Sequence, residues 1–166
     1  MWKGNEATVM KVADFRAQMR FERSVLRVKG PEARHFLHGL LTSDIENVPA
    51  GDASYGALLT PQGKILFDVF VREEGEALLI DCATSQEADL LKRLAMYKLR
   101  AKVEIKDAVG EVVVAALQGD VRARPGNAIA FVDPRTDKLG DRVLIPAPLV
   151  GEAISLTGAR RMTPET

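Results

Sequence analysis

The chain has 166 residues, enough for one domain or two small ones, and its 46% hydrophobic and 28% charged make-up is ordinary for a globular protein. Lysine plus arginine equals aspartate plus glutamate, 23 each, which excludes a general electrostatic attraction to nucleic acid or to an anionic membrane. One cysteine, Cys82, excludes an intrachain disulfide and a thiolate zinc site; a reducing, cytoplasmic location is expected, and no apolar run approaches the ~20 residues of a membrane span.

Residues 1–19 lack the continuous apolar core of a signal peptide and read as a weakly ordered leader. Residues 21–28 read as a strand. Gly30-Pro31 then opens a helix, because proline is favoured at the first helical position. Ala33, Phe36, Leu37, Leu40 and Leu41 follow the helical apolar spacing. Pro49 and Gly51 mark 47–52 as a loop. Residues 54–59 and 64–72 form a hairpin joined by Pro61-Gln62-Gly63, and 77–82 form a third strand. Thr84-Ser85-Gln86-Glu87 has the pattern of a capping box for a helix reaching about Leu99. Leu90, Leu91, Leu94 and Tyr97 make its buried stripe. Residues 102–106 alternate like an edge strand. The continuous apolar run 112–117 predicts a strand buried on both faces. Short strands at 129–132 and 142–145 flank the turn Asp133-Pro134-Arg135.

Hairpins outnumber crossovers. The expected fold is therefore α+β, a mixed and largely antiparallel sheet with helices packed on one face. Val25, Ile65 and Val69 are expected in its core. Alternation in the hairpin puts Ile65, Phe67, Val69 and Val71 on one face and Lys64, Leu66, Asp68 and Phe70 on the other. Asp68 is the informative residue here, since an ionised carboxylate in an apolar strand is costly unless something pairs with it. A purely structural role, bonded to backbone amides or an arginine, is its simplest reading.

Two segments, Phe36-Leu37-His38-Gly39-Leu40-Leu41-Thr42-Ser43-Asp44-Ile45 and Thr60-Pro61-Gln62-Gly63-Lys64-Ile65-Leu66-Phe67-Asp68-Val69-Phe70-Val71, stand in an order and spacing that resembles the folate-binding YgfZ/GcvT superfamily. Its members include the glycine-cleavage T-protein, an aminomethyltransferase, and the YgfZ proteins linked to iron–sulfur enzyme maturation. Ser24 through Gly30, Leu94 through Val103, Leu117-Gln118-Gly119 and Phe131 through Arg135 with Leu139 through Arg142 extend the similarity, with a leaning to the YgfZ branch. The resemblance implies a folate-binding-type region over 20–147. It also implies that 148–166 begins a connection to a missing carboxy-terminal part, where the family's signature cysteine lies, so Cys82 does not inherit that cysteine's role.

The resemblance also implies a cofactor, tetrahydrofolate or a folate derivative, and places the residues that would meet it. Most T-proteins carry two adjacent acids in the hairpin, the first catalytic. Aligned on Gly63, the first falls on Phe67 and the second on Asp68. Phenylalanine cannot transfer a proton, so no catalytic residue is assigned. Tyr55, Phe67 and Leu79 are expected to form an apolar slot for the pterin. Asp81 is expected to accept hydrogen bonds from the pterin's NH groups, with Asp68 beside it. His35 and His38 have a spacing that can hold a metal, but no second pair of ligands accompanies them and no metal site is expected. Arg93, Lys98, Arg100 and Lys102 cluster around one helix end, where they complement the helix dipole or meet a folate's glutamate tail or RNA.

Three functions are consistent with these residues. The first is a folate-binding accessory protein of the YgfZ type, acting in iron–sulfur cluster assembly or repair and indirectly on tRNA modification. Its expected partners are folate and iron–sulfur enzymes or assembly factors, with neither membrane nor direct nucleic acid. The second is a T-protein-like aminomethyltransferase, which Phe67 opposes. The third is a structural module that needs its missing half before it binds anything.

Overall fold

The computed structural model describes residues 16–20, 22–108, 110–118, 127–157 and 160–161. Strands β1 (Arg16–Met19) and β2 (Arg23–Lys29) are followed by the short helix α1 (Ala33–His38). Three strands come next, β3 (Ala53–Leu59), β4 (Ile65–Glu74) and β5 (Ala77–Ala83), then helix α2 (Glu87–Lys98). The chain continues through β6 (Glu104–Asp107), β7 (Val112–Gln118), β8 (Ile129–Val132) and β9 (Asp141–Pro146) to helix α3 (Val150–Thr157) and β10 (Arg160–Arg161). Apart from Arg16–Met19, the 1–19 leader lies outside the described residues.

The strands form two five-stranded sheets, in the orders β3-β4-β5-β2-β6 and β10-β1-β7-β9-β8. All pairings are antiparallel except β1 with β10. The expected α+β class and mixed, largely antiparallel character hold, and 104–107 is an edge strand as expected. One sheet with helices on one face becomes two sheets packed face to face, each with helices on its outer side. The reason is the double-sided burial of β5 and β7. On β5, Leu78 and Ile80 pack under α1 and α2 with Leu37, Leu90 and Leu94, while Leu79 points between the sheets. On β7, Val114 joins Leu79, Val25, Phe70 and Leu144 between the sheets, while Ala115 packs outward with Ala153 of α3. A strand with apolar residues on both faces needs a layer on each side.

Three local expectations fail: Tyr97, expected in the buried stripe of α2, is 39% exposed near the helix end, and the other two have causes in the local backbone. Ile65 is 69% exposed although Val25 and Val69 are buried. The β3–β4 register jumps from Leu58↔Phe67 to Leu59↔Ile65, so Leu66 is an extra residue in β4. The bulge breaks the alternation that ran from Val71 down to Phe67. The other concerns the start of α2. Thr84–Gln86 forms a 3₁₀ turn, and the N-cap Gln86 makes no side-chain cap bond. The Thr84 hydroxyl instead accepts from Ser24 Oγ at 2.9 Å, tying the helix entry to β2.

Two close approaches lock the helix layer to the first sheet. Gly30 has φ +135°, and a Cβ there would lie 2.3 Å from the Lys102 carbonyl oxygen. The Glu32 carboxylate accepts the Lys102 backbone N–H at 2.5 Å beside it. Gly56 lies against Ser43 in the same way, with a Cβ falling 2.4 Å from Ser43 Oγ. Leu99 has φ 41° and ψ −104°, and the Ala101 N–H closes a turn onto the Lys98 carbonyl at 2.7 Å. That is the conformation of the first central residue of a type II′ turn, normally glycine's place. Gly30→Ala adds a backbone collision to a disfavoured φ, and should cost about 2–4 kcal/mol of unfolding free energy. Equilibrium denaturation of the two proteins measures it, and a loss under about 0.5 kcal/mol, the size of an ordinary surface change, would show that the strand end can slide away from Lys102.

Candidate functional site

The inner faces of the two sheets carry a group of charged and aromatic side chains at one end of their shared core. Alternation puts Arg23 on the inner face of β2 with Val25, and Phe70 on that of β4. Phe70 stands opposite Tyr55 of β3 and Asp81 of β5 in the ladder. From the second sheet, Arg142 shares the inner face of β9 with Leu144. Asp133, two residues beyond Phe131, lies on the same side.

Asp81 is the hub. It is 1% exposed, and its two oxygens accept from different guanidinium groups. Arg23 Nε donates to Oδ1 at 2.6 Å, while Arg142 Nε and Nη2 donate to Oδ2 at 3.1 and 2.5 Å. The Arg142 side chain is itself buried. Its Nη1 lies 3.9 Å from Asp133 Oδ2. Asp133 accepts from Arg135 Nε at 2.9 Å, from Nη2 at 2.7 Å and from the Arg135 backbone N–H at 3.0 Å. Burial pushes the Asp133 carboxyl up, but the Arg135 bonds and the nearby Arg142 charge outweigh it and hold it below its ordinary value. Three guanidinium groups surround the Phe70 ring, with Arg142 at 4.0 Å, Arg135 at 4.9 Å and Arg23 at 5.7 Å from its centroid.

Tyr55 and Asp68 form the outer rim. The Tyr55 hydroxyl donates to Asp68 Oδ2 at 2.8 Å, a bond that raises the tyrosine's pKa. The Tyr55 ring packs on Phe70 at 4.9 Å and under Arg135 at 5.6 Å. Beside it opens a cleft of about 520 Å³, whose walls include Asp44, Asn47, Asp52, Tyr55, Asp133 and Pro134. An aromatic ring with carboxylates around it can pack against a flat heterocycle and accept bonds from its NH groups.

The structure thus brings together Tyr55, Asp68, Leu79 and Asp81 on one inner face and places Phe67 elsewhere. Phe67 pairs with Leu58 and sits 7% exposed in the core beneath the helices. The slot expected from Tyr55, Phe67 and Leu79 is therefore not formed by those three. Strand alternation puts Phe67 on the opposite side of β4 from the tyrosine, and Leu79 is enclosed between the sheets. Asp81, expected to face a pterin, has both oxygens occupied by arginines. Asp68 has a tyrosine rather than an arginine or backbone partner. Arg23, Arg135, Arg142, Asp133 and Phe70 join the site only in the structure; the sequence marks Asp133 and Arg135 as turn residues and no more. The signal was present in Arg142, a charge heading the apolar run Val143-Leu144-Ile145, as Asp81 is a charge within another.

The remaining reactive side chains are committed elsewhere. Burial pushes the Cys82 thiol up to about 12, so it stays protonated and inert in the helix-side core. His35 Nδ1 lies 2.8 Å from Glu46, and His38 Nδ1 accepts the Ile45 backbone N–H at 3.3 Å.

Replacing Asp81 leaves two arginines buried without their counter-charge. Asp81→Ala should lower stability by about 3–5 kcal/mol. The paired change Asp81→Leu with Arg142→Leu should lose less than the single one, since it removes charge from both sides. Denaturant titrations of the parent, of Asp81→Ala, of Asp81→Leu and Arg142→Leu singly, and of the double variant test this. A double variant as unstable as the sum of its parts would mean that the pair is not coupled.

A family profile described as the GCVT N-terminal domain matches residues 16–124. The human mitochondrial iron–sulfur cluster assembly factor IBA57 is 34% identical over 144 residues, covering 74% of this chain and 40% of that protein. Its Pyricularia oryzae homolog, also named mitochondrial, is 34% identical over 133 residues, covering 75% of this chain and 34% of that one. The chain thus spans well under half the length of these relatives. The cytoplasmic location expected from the cysteine count does not stand against relatives named as mitochondrial proteins. Among solved structures, the glycine cleavage system aminomethyltransferase T from Bartonella henselae shares the fold. Its TM-score is 0.72 at 18% identity, covering 90% of this chain and 48% of that one. With two thirds of its length matched by the profile and its two sheets superposing on such a protein, this chain belongs to the GCVT N-terminal domain family.

Proposed function

We propose that this chain is the folate-binding part of an iron–sulfur cluster assembly factor of the YgfZ type, and that it performs no one-carbon transfer. The observation that carries the reading is the 34% identity, over about three quarters of the chain, to proteins named as iron–sulfur cluster assembly factors. The family resemblance supplies the ligand, a reduced folate. Tyr55 and Asp68 are the residues proposed to meet its pterin, Tyr55 from the wall of the cleft and Asp68 from beside it through its bond to the Tyr55 hydroxyl. Tyr55 offers its ring as a packing surface, and Asp68 fixes the direction of its hydroxyl. Partners are iron–sulfur enzymes or assembly proteins, and any effect on tRNA modification passes through them.

The aminomethyltransferase reading is disfavoured by Phe67. The residue aligned with the catalytic acid has no ionisable group and faces the helix-side core. A carboxylate placed there would be buried among apolar side chains and away from the Tyr55 rim. One-carbon transfer assayed on the parent chain and on Phe67→Asp should detect no turnover in either, and turnover by the parent would establish the transferase reading.

Titration of the chain with tetrahydrofolate, followed by calorimetry, tests the ligand. Weak binding is expected, and Tyr55→Ala should weaken it about tenfold, the equivalent of about 1.4 kcal/mol. No binding at millimolar folate, by this chain or by a longer protein containing it, would remove folate from the proposal. The assembly role has its own test. Cells depleted of the protein should lose iron–sulfur enzyme activity and keep glycine cleavage, and the opposite pattern would overturn the reading.

A further inference from the structure

The corner between α2 and β6 presents apolar side chains that the fold does not use. Leu99 is 87% exposed, Met96 one turn earlier is 63% exposed, and Tyr97 is 39% exposed. The buried side of α2 is already supplied by Leu90 and Leu94, each 1% exposed. Leu99 also stands where glycine is the ordinary residue, at φ 41°. A strained backbone position normally persists because something repays it. Among the described residues no side-chain packing does, because the Leu99 side chain projects into solvent.

The projection is held firmly rather than left on a loose loop. The Ala101 N–H closes the turn onto Lys98, the Glu32 carboxylate takes the Lys102 N–H, and the Gly30 backbone lies against Lys102. Lys98, Arg100 and Lys102 flank Leu99 along the chain, and Arg93 lies further back on α2. None of the four has a carboxylate within salt-bridge distance among the described residues. Of the nearby acids, Glu104 pairs with Lys106 and Glu32 is bonded to the Lys102 backbone, while Asp89 lies one helical turn before Arg93. In a chain with no net charge, this is a local excess of positive charge around an apolar tip.

We propose that this corner docks a protein partner with an acidic surface, independently of whether the chain binds folate. Leu99 and Met96 enter an apolar socket, and Lys98, Arg100 and Lys102 pair with carboxylates around it. An apolar anchor ringed by charges is the usual economy of a protein interface, with the centre holding the complex and the rim steering encounter. Nucleic acid fits less well. The two most exposed residues, Leu99 and Met96, have no flat face on which a base could stack, and the Tyr97 ring is the least exposed of the three.

The test is in-cell photo-crosslinking with Leu99→p-benzoylphenylalanine, using Ile65→p-benzoylphenylalanine as an exposed control on β4. The crosslinked protein is identified, purified and titrated against the parent chain, Leu99→Gly and the double variant Arg100→Glu/Lys102→Glu. The expected result is one protein captured at position 99 and not at 65, whose affinity falls as salt rises. Each variant should weaken it at least tenfold. Leu99→Gly should leave the melting temperature unchanged or raised, because glycine suits the turn, so its loss of binding cannot be blamed on unfolding. Capture of nucleic acid, of a second copy of this chain, or of nothing above the control would overturn the proposal. So would a captured protein whose affinity ignores Leu99→Gly.

Discussion

One carboxylate holds the two sheets in register. Asp81 rises from a strand with apolar residues on either side and is enclosed between two layers. A lone ionised carboxylate there would be prohibitive. Arg23, from the neighbouring strand of the same sheet, and Arg142, from the facing sheet, meet it with separate oxygens. The attraction in such a dry place only offsets the desolvation of the charges, so the cluster adds little net stability. It adds specificity. A slip of one residue in β5 or β9 would turn Asp81 or Arg142 to the wrong face and leave a buried charge unmatched.

The rest of the polar end follows from that link. Arg142 comes within 3.9 Å of Asp133, which fixes Arg135 at the mouth of the turn after β8. The guanidinium groups need partners above and below their planes as well as in them. The Phe70 ring supplies one face to all three, and Tyr55 packs beside it. Charge is therefore layered outward, from the enclosed Asp81 to the partly open Tyr55–Asp68 bond at the rim.

Phe67 shows how one strand separates two jobs. Its neighbours Asp68 and Phe70 serve the inner face, while Phe67, Val69 and Val71 serve the helix-side core. The bulge at Leu66 sits just before this stretch and ends the alternation there, leaving Ile65 exposed. The adjacent polar and apolar roles in this strand are thus a matter of parity, and a shift of one residue would exchange them.

The sequence by itself determined the order and kind of the elements, because these rest on local patterns. Apolar spacing marked the helices, alternation and turn residues marked the hairpins, and the run at 112–117 marked a strand covered on both sides. It also determined the family, through the order of its segments, and flagged Asp68 as an acid in an apolar strand, while Asp81 was marked only through the family resemblance. Only the tertiary structure decided that there are two sheets, since which layer covers a doubly apolar strand depends on segments far away in the chain. It also decided the partners of those acids. Asp81 lies 58 residues from Arg23 and 61 from Arg142, a separation that no local pattern can bridge. The exposure of Ile65 has the same cause, whereas alternation alone groups Phe67 with Val69 and Val71 as the structure does. A bulge is set by how one strand registers on its neighbour, and the strand's own sequence does not carry that register.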